Sequence, residues 1–174
     1  EFANKYKVLV RVLSSFEPGS GTLILQEEEG MEEAVIKGIA SQQDQTKFTL
    51  HGVVDTPGIA SGILSPVSAE GIEVDVIVQN VSVLGKTDFT FTVGTGDRAV
   101  VESVLKEKMQ GISYDELIID EGIGKVSLVG VGMRSHAGIA STAFKALADA
   151  GINIQMISTS EIKITIVISG DQLE

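Results

Sequence analysis

Few residues of this chain could do chemistry. It has no cysteine, so disulfides, thiolate metal sites and cysteine nucleophiles are excluded. Its two histidines, His51 and His136, have no recognisable nucleophile partner, and no strand–GxxxxGK[ST]–helix phosphate loop is present. With two histidines and no thiol, a dedicated transition-metal site is not expected. What remains is a turn. Asp55-Thr56-Pro57-Gly58 leads from an apolar run into a helical pattern, and proline is favoured in a first helical turn, where its missing N–H costs nothing. Free N–H groups at a helix start suit an anion, and a glycine lacking Cβ admits close approach. A carboxylate nearby, Asp55 or Asp75, could hold an ammonium group. An anion seat plus a carboxylate is what a zwitterionic α-amino acid requires, although such a turn can also do no more than pack.

The elements that must position this turn occur twice. Lys47-Phe48-Thr49-Leu50-His51-Gly52-Val53 aligns with Lys125-Val126-Ser127-Leu128-Val129-Gly130-Val131. Gly58-Ile59-Ala60-Ser61 repeats as Gly138-Ile139-Ala140-Ser141, and Gly71-Ile72 as Gly151-Ile152, with two more residues in the second copy's loop. In the first copy, Thr46 to Val53 reads as a strand. Ile59, Ile63, Leu64 and Val67 recur at helical spacing, Pro66 suggests a bend, and Gly71 ends the helix. Ile72 to Gln79 alternates, with Ile72, Val74, Val76 and Val78 on one face and Glu73, Asp75, Ile77 and Gln79 on the other. Thr87 to Val93 is a further strand. Asp97 is placed to N-cap a helix carrying Val101, Val104, Leu105 and Met109, and Leu117 to Ile119 closes the unit.

That order is βαββαβ, an α+β sandwich with both helices on one face of an antiparallel sheet. The second copy supplies strands near Lys125 to Val131, from Asn153 and over Ile162 to Ile168, and a helix near Gly138 to Ala150. It then lacks the second helix and last strand of the first copy. Val35 to Ala40, a short strand ahead of the first copy, could supply the missing strand. Val8 to Val12 reads as a strand, and Glu27-Glu28-Glu29-Gly30 as a solvated acidic linker.

The 174 residues carry a net charge of −11, with no basic cluster to meet a phosphate backbone, so nucleic acid and anionic membranes are poor partners. Phe89 and Phe91 invite comparison with RNA-binding sheets, but those want a basic surface, and the pair is read as core. The chain shows no apolar run of membrane-spanning length and no signal-peptide core, which makes the cytoplasm the expected location.

Asp55-Thr56-Pro57-Gly58 and Val74-Asp75-Val76-Ile77-Val78-Gln79-Asn80-Val81-Ser82 resemble the first ACT unit of monofunctional aspartate kinases. Gly130-Val131-Gly132-Met133-Arg134-Ser135-His136-Ala137-Gly138 and Ile157-Ser158-Thr159-Ser160-Glu161-Ile162 resemble the second. Met31 to Ala40 is similar to the segment joining kinase domain to regulatory region, and Val10 to Phe16 to the end of the kinase domain. The resemblance implies two ferredoxin-like ACT domains, the first inserted in the second. Residues 1–30 would be a kinase-domain remnant with linker, 46–121 the first ACT domain, and 35–40 with 124–174 the second, its closing helix missing.

It implies a regulatory module without catalytic residues or cofactor, either a separate regulatory subunit or part of a longer enzyme. Threonine and possibly lysine would be its effectors, in feedback inhibition of aspartate-family amino-acid biosynthesis. The expected partners are a second copy, through the ACT domains, and a kinase catalytic domain or subunit. Effector contacts carried over by position are Asp55, Gly58, Ala60, Glu73, Val74, Asp75 and Gln79 in the first unit. In the second they are Met133, Ser135, Ala140, Asn153, Ile154, Ser160 and Glu161. Glu73 stands where many members have asparagine, and Ala137 where many have proline. A purely structural dimerisation module is the alternative.

Overall fold

Threonines, phenylalanines and β-branched residues in alternation favour a pleated, half-buried strand, and the longest such stretch forms one strand far longer than expected. The computed structural model describes residues 8–16, 19–24, 36–81, 85–109, 111–130 and 138–173. Two bodies are present, Glu1–Ala34 and Val35–Glu174. In the first, β1 (Val10–Val12) pairs antiparallel with β2 (Thr22–Ile24). The acidic run Glu27–Gly30 and Val35 lie outside the described residues.

The second body contains β3 (Gly38–Val54), α1 (Ile59–Ala69), β4 (Ile77–Val81), β5 (Lys86–Gly94), α2 (Arg98–Glu107) and β6 (Glu116–Val129). It continues with α3 (Ile139–Asp149), β7 (Met156–Thr159) and β8 (Lys163–Ser169). These strands make one antiparallel sheet in the order β4-β5-β3-β6-β8-β7. Each half has the ferredoxin-like strand arrangement. The later part of β3 and the start of β6 belong to the first unit; the start of β3 and the rest of β6 belong to the second.

The strands expected separately at 35–40 and 46–53 are therefore one, as are those at 117–119 and 125–131. Polar residues between them do not break the ladder, because bulges absorb the irregularity. Pairing passes from Gln42↔Lys125 to Gln45↔Ile123 and then to Lys47↔Asp120, with one extra residue first in β3 and then in β6. Asp44 at φ 59° and Gly122 at φ 71° take the left-handed conformation there. The two shifts compensate, so Ile39 and Phe48 face the same way and the helices of both units share one side of the sheet.

On that side Phe48, Leu50, Phe89 and Phe91 meet Ile63 and Val67 of α1 and Val101, Val104 and Leu105 of α2 in one core. Pro66 is accommodated inside α1, which runs unbroken. Asp97 sits at the N-cap of α2 without a side-chain capping bond, after a 3-10 turn at Thr95–Asp97. In the second unit Leu128, Ile164, Ile166 and Ile168 pack against α3, while Ile162, expected in that row, is exposed before β8 begins. β7 begins at Met156, not at Asn153.

The opposite side has its own small cluster of Val76, Ile123, Met156 and Val167, with Val78 against it. This corrects the expected alternation over Ile72 to Gln79. Ile72 and Val74 join the helix-side core, but Val76 and Val78 join the other face. The register breaks at Asp75, whose N–H donates to the Thr92 carbonyl (3.1 Å) while the Val76 N–H donates to Thr92 Oγ1 (3.2 Å). From here the Asp75 carboxylate pairs with Lys125 Nζ on β6, and Lys47 Nζ donates to Gln155 Oε1 (3.0 Å) beside β7.

Phe91→Ala should lower unfolding free energy by about 3–5 kcal/mol, whereas Ile77→Ala on the edge strand should stay within about 0.5 kcal/mol, both read by urea titration. Asp75→Ala strands the buried Lys125 ammonium. Because Asp75 is itself 37% exposed, its loss should cost about 1–2 kcal/mol, less than the ~3–5 of a fully buried pair.

Candidate functional site

Both repeated turns take the same backbone form. Gly58 has φ 94° and Gly138 φ 108°, values that L side chains rarely adopt, and among the described residues no atom beyond the chain neighbours lies within 4 Å of where a Cβ would stand on either. Each glycine begins a helix. The Gly62 N–H donates to the Gly58 carbonyl (2.9 Å), and the Thr142 N–H to the Gly138 carbonyl (2.8 Å). The amides of the first turn have no helical carbonyl to meet, and the helix dipole makes that end favourable to an anion. The chain thus presents two open, glycine-led helix starts.

At the first, the turn sits at the C-terminal end of β3. The Asp55 N–H donates to the Gly85 carbonyl (2.9 Å), which ties the turn to the β4–β5 connection. Gln79 pairs with Phe89 on β5, itself opposite Leu50, so it lies toward the same end of the sheet. Ala60 packs its methyl on the helix-side core. Asp55, Gly58 and Ala60 therefore share one end of the first unit, and Gln79 lies at the level of Leu50, five residues short of Asp55, roughly 16 Å at ~3.3 Å per residue.

Glu73, Val74 and Asp75 do not join them. Val74 packs into the helix-side core. Asp75 is bound through Thr92 at the level of Lys47, and Asp55 lies eight residues further on, just past the end of β3, roughly 26 Å at ~3.3 Å per residue. The expectation that Asp75 and Gln79 share a face is also corrected. Gln79 lies opposite Phe89 on the helix side, while Asp75 reaches Lys125 on the other. The break in alternation at Asp75 is the cause.

Glu73 and Asp75 instead line a cavity of about 570 Å³ on the sheet face away from the helices, with Asp97, Lys125, Ser127 and Lys163. Burial, reinforced by the like charge of Lys163, holds the Lys125 ammonium below the usual lysine range, with Glu73 opposing the shift. Sequence reading passed over Lys125 and Lys163. The available signal was an ionisable residue on the inward side of a strand between Ile123 and Ser127.

In the second unit Ala140 and Ile154 pack against its core, and Asn153 is exposed. The Ser160 N–H donates to the Lys163 carbonyl (2.7 Å), and Glu161 is exposed in the same bend. Met133, Ser135 and His136 lie outside the described residues. His51 is exposed on β3, and its Nδ1 lies 2.7 Å from Asp88 Oδ1, the same oxygen that accepts the Gly52 N–H at 2.9 Å. It braces the bulge between Leu50 and Val53. No helix among the described residues is long and apolar enough to cross a membrane.

A family model described as ACT domain matches residues 126–174. An aspartate kinase of Pseudomonas putida is 56% identical over 175 residues, covering all of this chain and 43% of the relative. The chain thus spans less than half the length of the curated relatives it matches. A solved structure of aspartokinase alpha and beta subunits is 45% identical, covering 79% of this chain and 90% of that one, with a TM-score of 0.72. The regulatory subunit of aspartate kinase from Thermus thermophilus, in a ligand-free form, is 33% identical, covering 79% of this chain and 91% of that one, with a TM-score of 0.74. The stretch they share is a regulatory one, and the chain belongs to the aspartate kinase family as an ACT-type regulatory region.

Proposed function

We propose that this chain senses end-product amino acids for an aspartate kinase in the cytoplasm, binding threonine, lysine or both and so inhibiting a catalytic domain or subunit. The observation that carries the reading is the pair of open, left-handed glycine helix starts, Gly58 and Gly138, at equivalent places in two copies of one fold. Each offers backbone N–H groups to a carboxylate. At the first, Asp55 would read the amino group and Gln79 the side chain; at the second, Ala140, Asn153 and Ile154 would take part, with Met133, Ser135, Ser160 and Glu161. In this reading residues 46–121 form the first ACT domain, 35–40 with 124–174 the second, and residues 1–30 belong with the catalytic part.

A homodimer through the ACT domains fits the same picture. β4 and β7 end the sheet and leave ladder groups open for another strand, and a site closed by two copies buries a small ligand more fully than one open turn. Sedimentation at tens of micromolar should show the dimer, and a monomer with and without threonine would count against it.

Calorimetric titration of the chain with L-threonine and with L-lysine should give saturable heat for at least one. Gln79→Ala and Asp55→Ala remove hydrogen bonds to a charged ligand, each worth about 1.5–3 kcal/mol, so affinity should fall roughly tenfold to 150-fold with the ligand-free melting temperature unchanged. Absence of heat from either amino acid at millimolar concentration would leave only a structural dimerisation role.

A further inference from the structure

Two lysines tie the units to each other in a crossed pattern. Lys125 is the counterpart of Lys47 in the repeat, and Gln155, four residues after Gly151, is the counterpart of Asp75, four after Gly71. Lys125, on the strand that opens the second unit, binds Asp75 of the first. Lys47, on the strand that opens the first, binds Gln155 of the second (3.0 Å). Each segment is also held to its own unit. The Asp75 N–H donates to the Thr92 carbonyl on β5 (3.1 Å), and the Gln155 N–H to the Val167 carbonyl on β8 (2.8 Å). The residues that follow, Val76 and Met156, meet in one apolar cluster. The segments before β4 and β7 are thus related as the two copies are, and each is fastened to the other unit's first strand.

The two fastenings differ in chemistry. Lys125 is 8% exposed and Asp75 answers its charge, so release of Asp75 leaves a buried ammonium without its carboxylate. Gln155 is neutral and exposed, and Lys47 also meets Asp120 (2.9 Å), so that ammonium stays answered when Gln155 leaves. Thr92 adds a second hold on the first segment, its hydroxyl accepting the Val76 N–H at 3.2 Å. Val167, in the matching place, has no hydroxyl to give. A buried ion pair adds little net stability to a fold, but removing one partner from it is unfavourable. Local opening of the segment does the second.

We infer that the two units carry crossed latches of unequal strength, so that the segment from Ile152 to Met156 opens while that from Ile72 to Val76 stays closed. The start of β7, which follows the weaker latch, is then the movable edge of the sheet, and β4 is the fixed one. A partner that meets the β7 edge finds a segment able to rearrange, whereas one that meets β4 finds a strand already held. The asymmetry arises chiefly from one pair of matching positions, Asp75 against Gln155, and holds whether or not either helix start binds an amino acid.

Amide hydrogen exchange of the whole chain, followed residue by residue in nitrogen-15 spectra, tests this. The Gln155 amide should be roughly tenfold or more less protected than the Asp75 amide, as the loss of a charge-assisted hold implies. Lys125→Met removes the buried charge and leaves the part-exposed Asp75 to water, so the variant keeps its fold. It should lower protection at Asp75 roughly tenfold and leave Gln155 within about twofold. Gln155→Asp gives Lys47 a carboxylate in the place that Asp75 holds for Lys125, and should raise protection at position 155 about threefold or more. Equal protection of the two amides in the unaltered chain overturns the unequal latches. So does protection at Asp75 unchanged by Lys125→Met, or at position 155 unchanged by Gln155→Asp. Should Lys125→Met not fold, the unaltered chain and Gln155→Asp decide between the outcomes.

Discussion

The hydrogen-bonded continuity of β3 and β6 through both units is the constraint on which the rest of the second body depends. The two strands pair from Gly38↔Val129 to His51↔Glu116, and each gives one end to the first unit and the other to the second. Neither unit can close its sheet without strands that also run through the other. A bulge in each strand near the middle, at Asp44 and Gly122, keeps the inward rows aligned on both sides of the junction. The hydrophobic cores remain distinct, but the backbone that frames them is common.

That framing distributes the polar chemistry. The helix starts at Gly58 and Gly138 each follow one of the shared strands and present backbone groups at the rim, where a small anion can reach them. The charged cavity lies on the opposite face, against the shared strands, where Lys125 and Asp75 bind the segment before β4 to β6. A change in the 73–79 segment would therefore bear directly on β6 as well as on its own unit. Val76, packed with Ile123, Met156 and Val167, adds an apolar contact beside the ion pair. The ion pair contributes modestly to stability once desolvation is counted; its consequence is to fix where the segment sits.

Much of this was legible in the residues. The repeated Gly-Ile-Ala-Ser located both helix starts, and the apolar spacing of Ile63 and Val67, and of Val101, Val104 and Leu105, located the core. What could not be read was continuity across polar residues. Gln42, Gln45 and Gly122 look like breakers in a linear pattern, yet the ladder carries past them: Gln42 pairs with Lys125, Gln45 with both Ile123 and Gly94, and Gly122 sits at the bulge between paired residues. The strict alternation of Ile72 to Gln79 misled in the other direction. A period of two says which side chains oppose each other only while the ladder is regular, and Thr92 captures the backbone at Asp75 and Val76 and ends that regularity. The separation of Asp75 from the first helix start follows from this local bond, which no spacing rule contains.

The central claim is that a glycine-led helix start holds an amino-acid carboxylate. Nitrogen-15 correlation spectra of the chain, recorded during addition of L-threonine and then L-lysine, test it most directly. The amides of Gly58, Ala60 and Ser61, or of Gly138, Ala140 and Ser141, should move downfield and saturate together, as N–H groups do on meeting a carboxylate. Resonances of both helix starts that stay fixed at saturating concentrations of both amino acids would contradict the account.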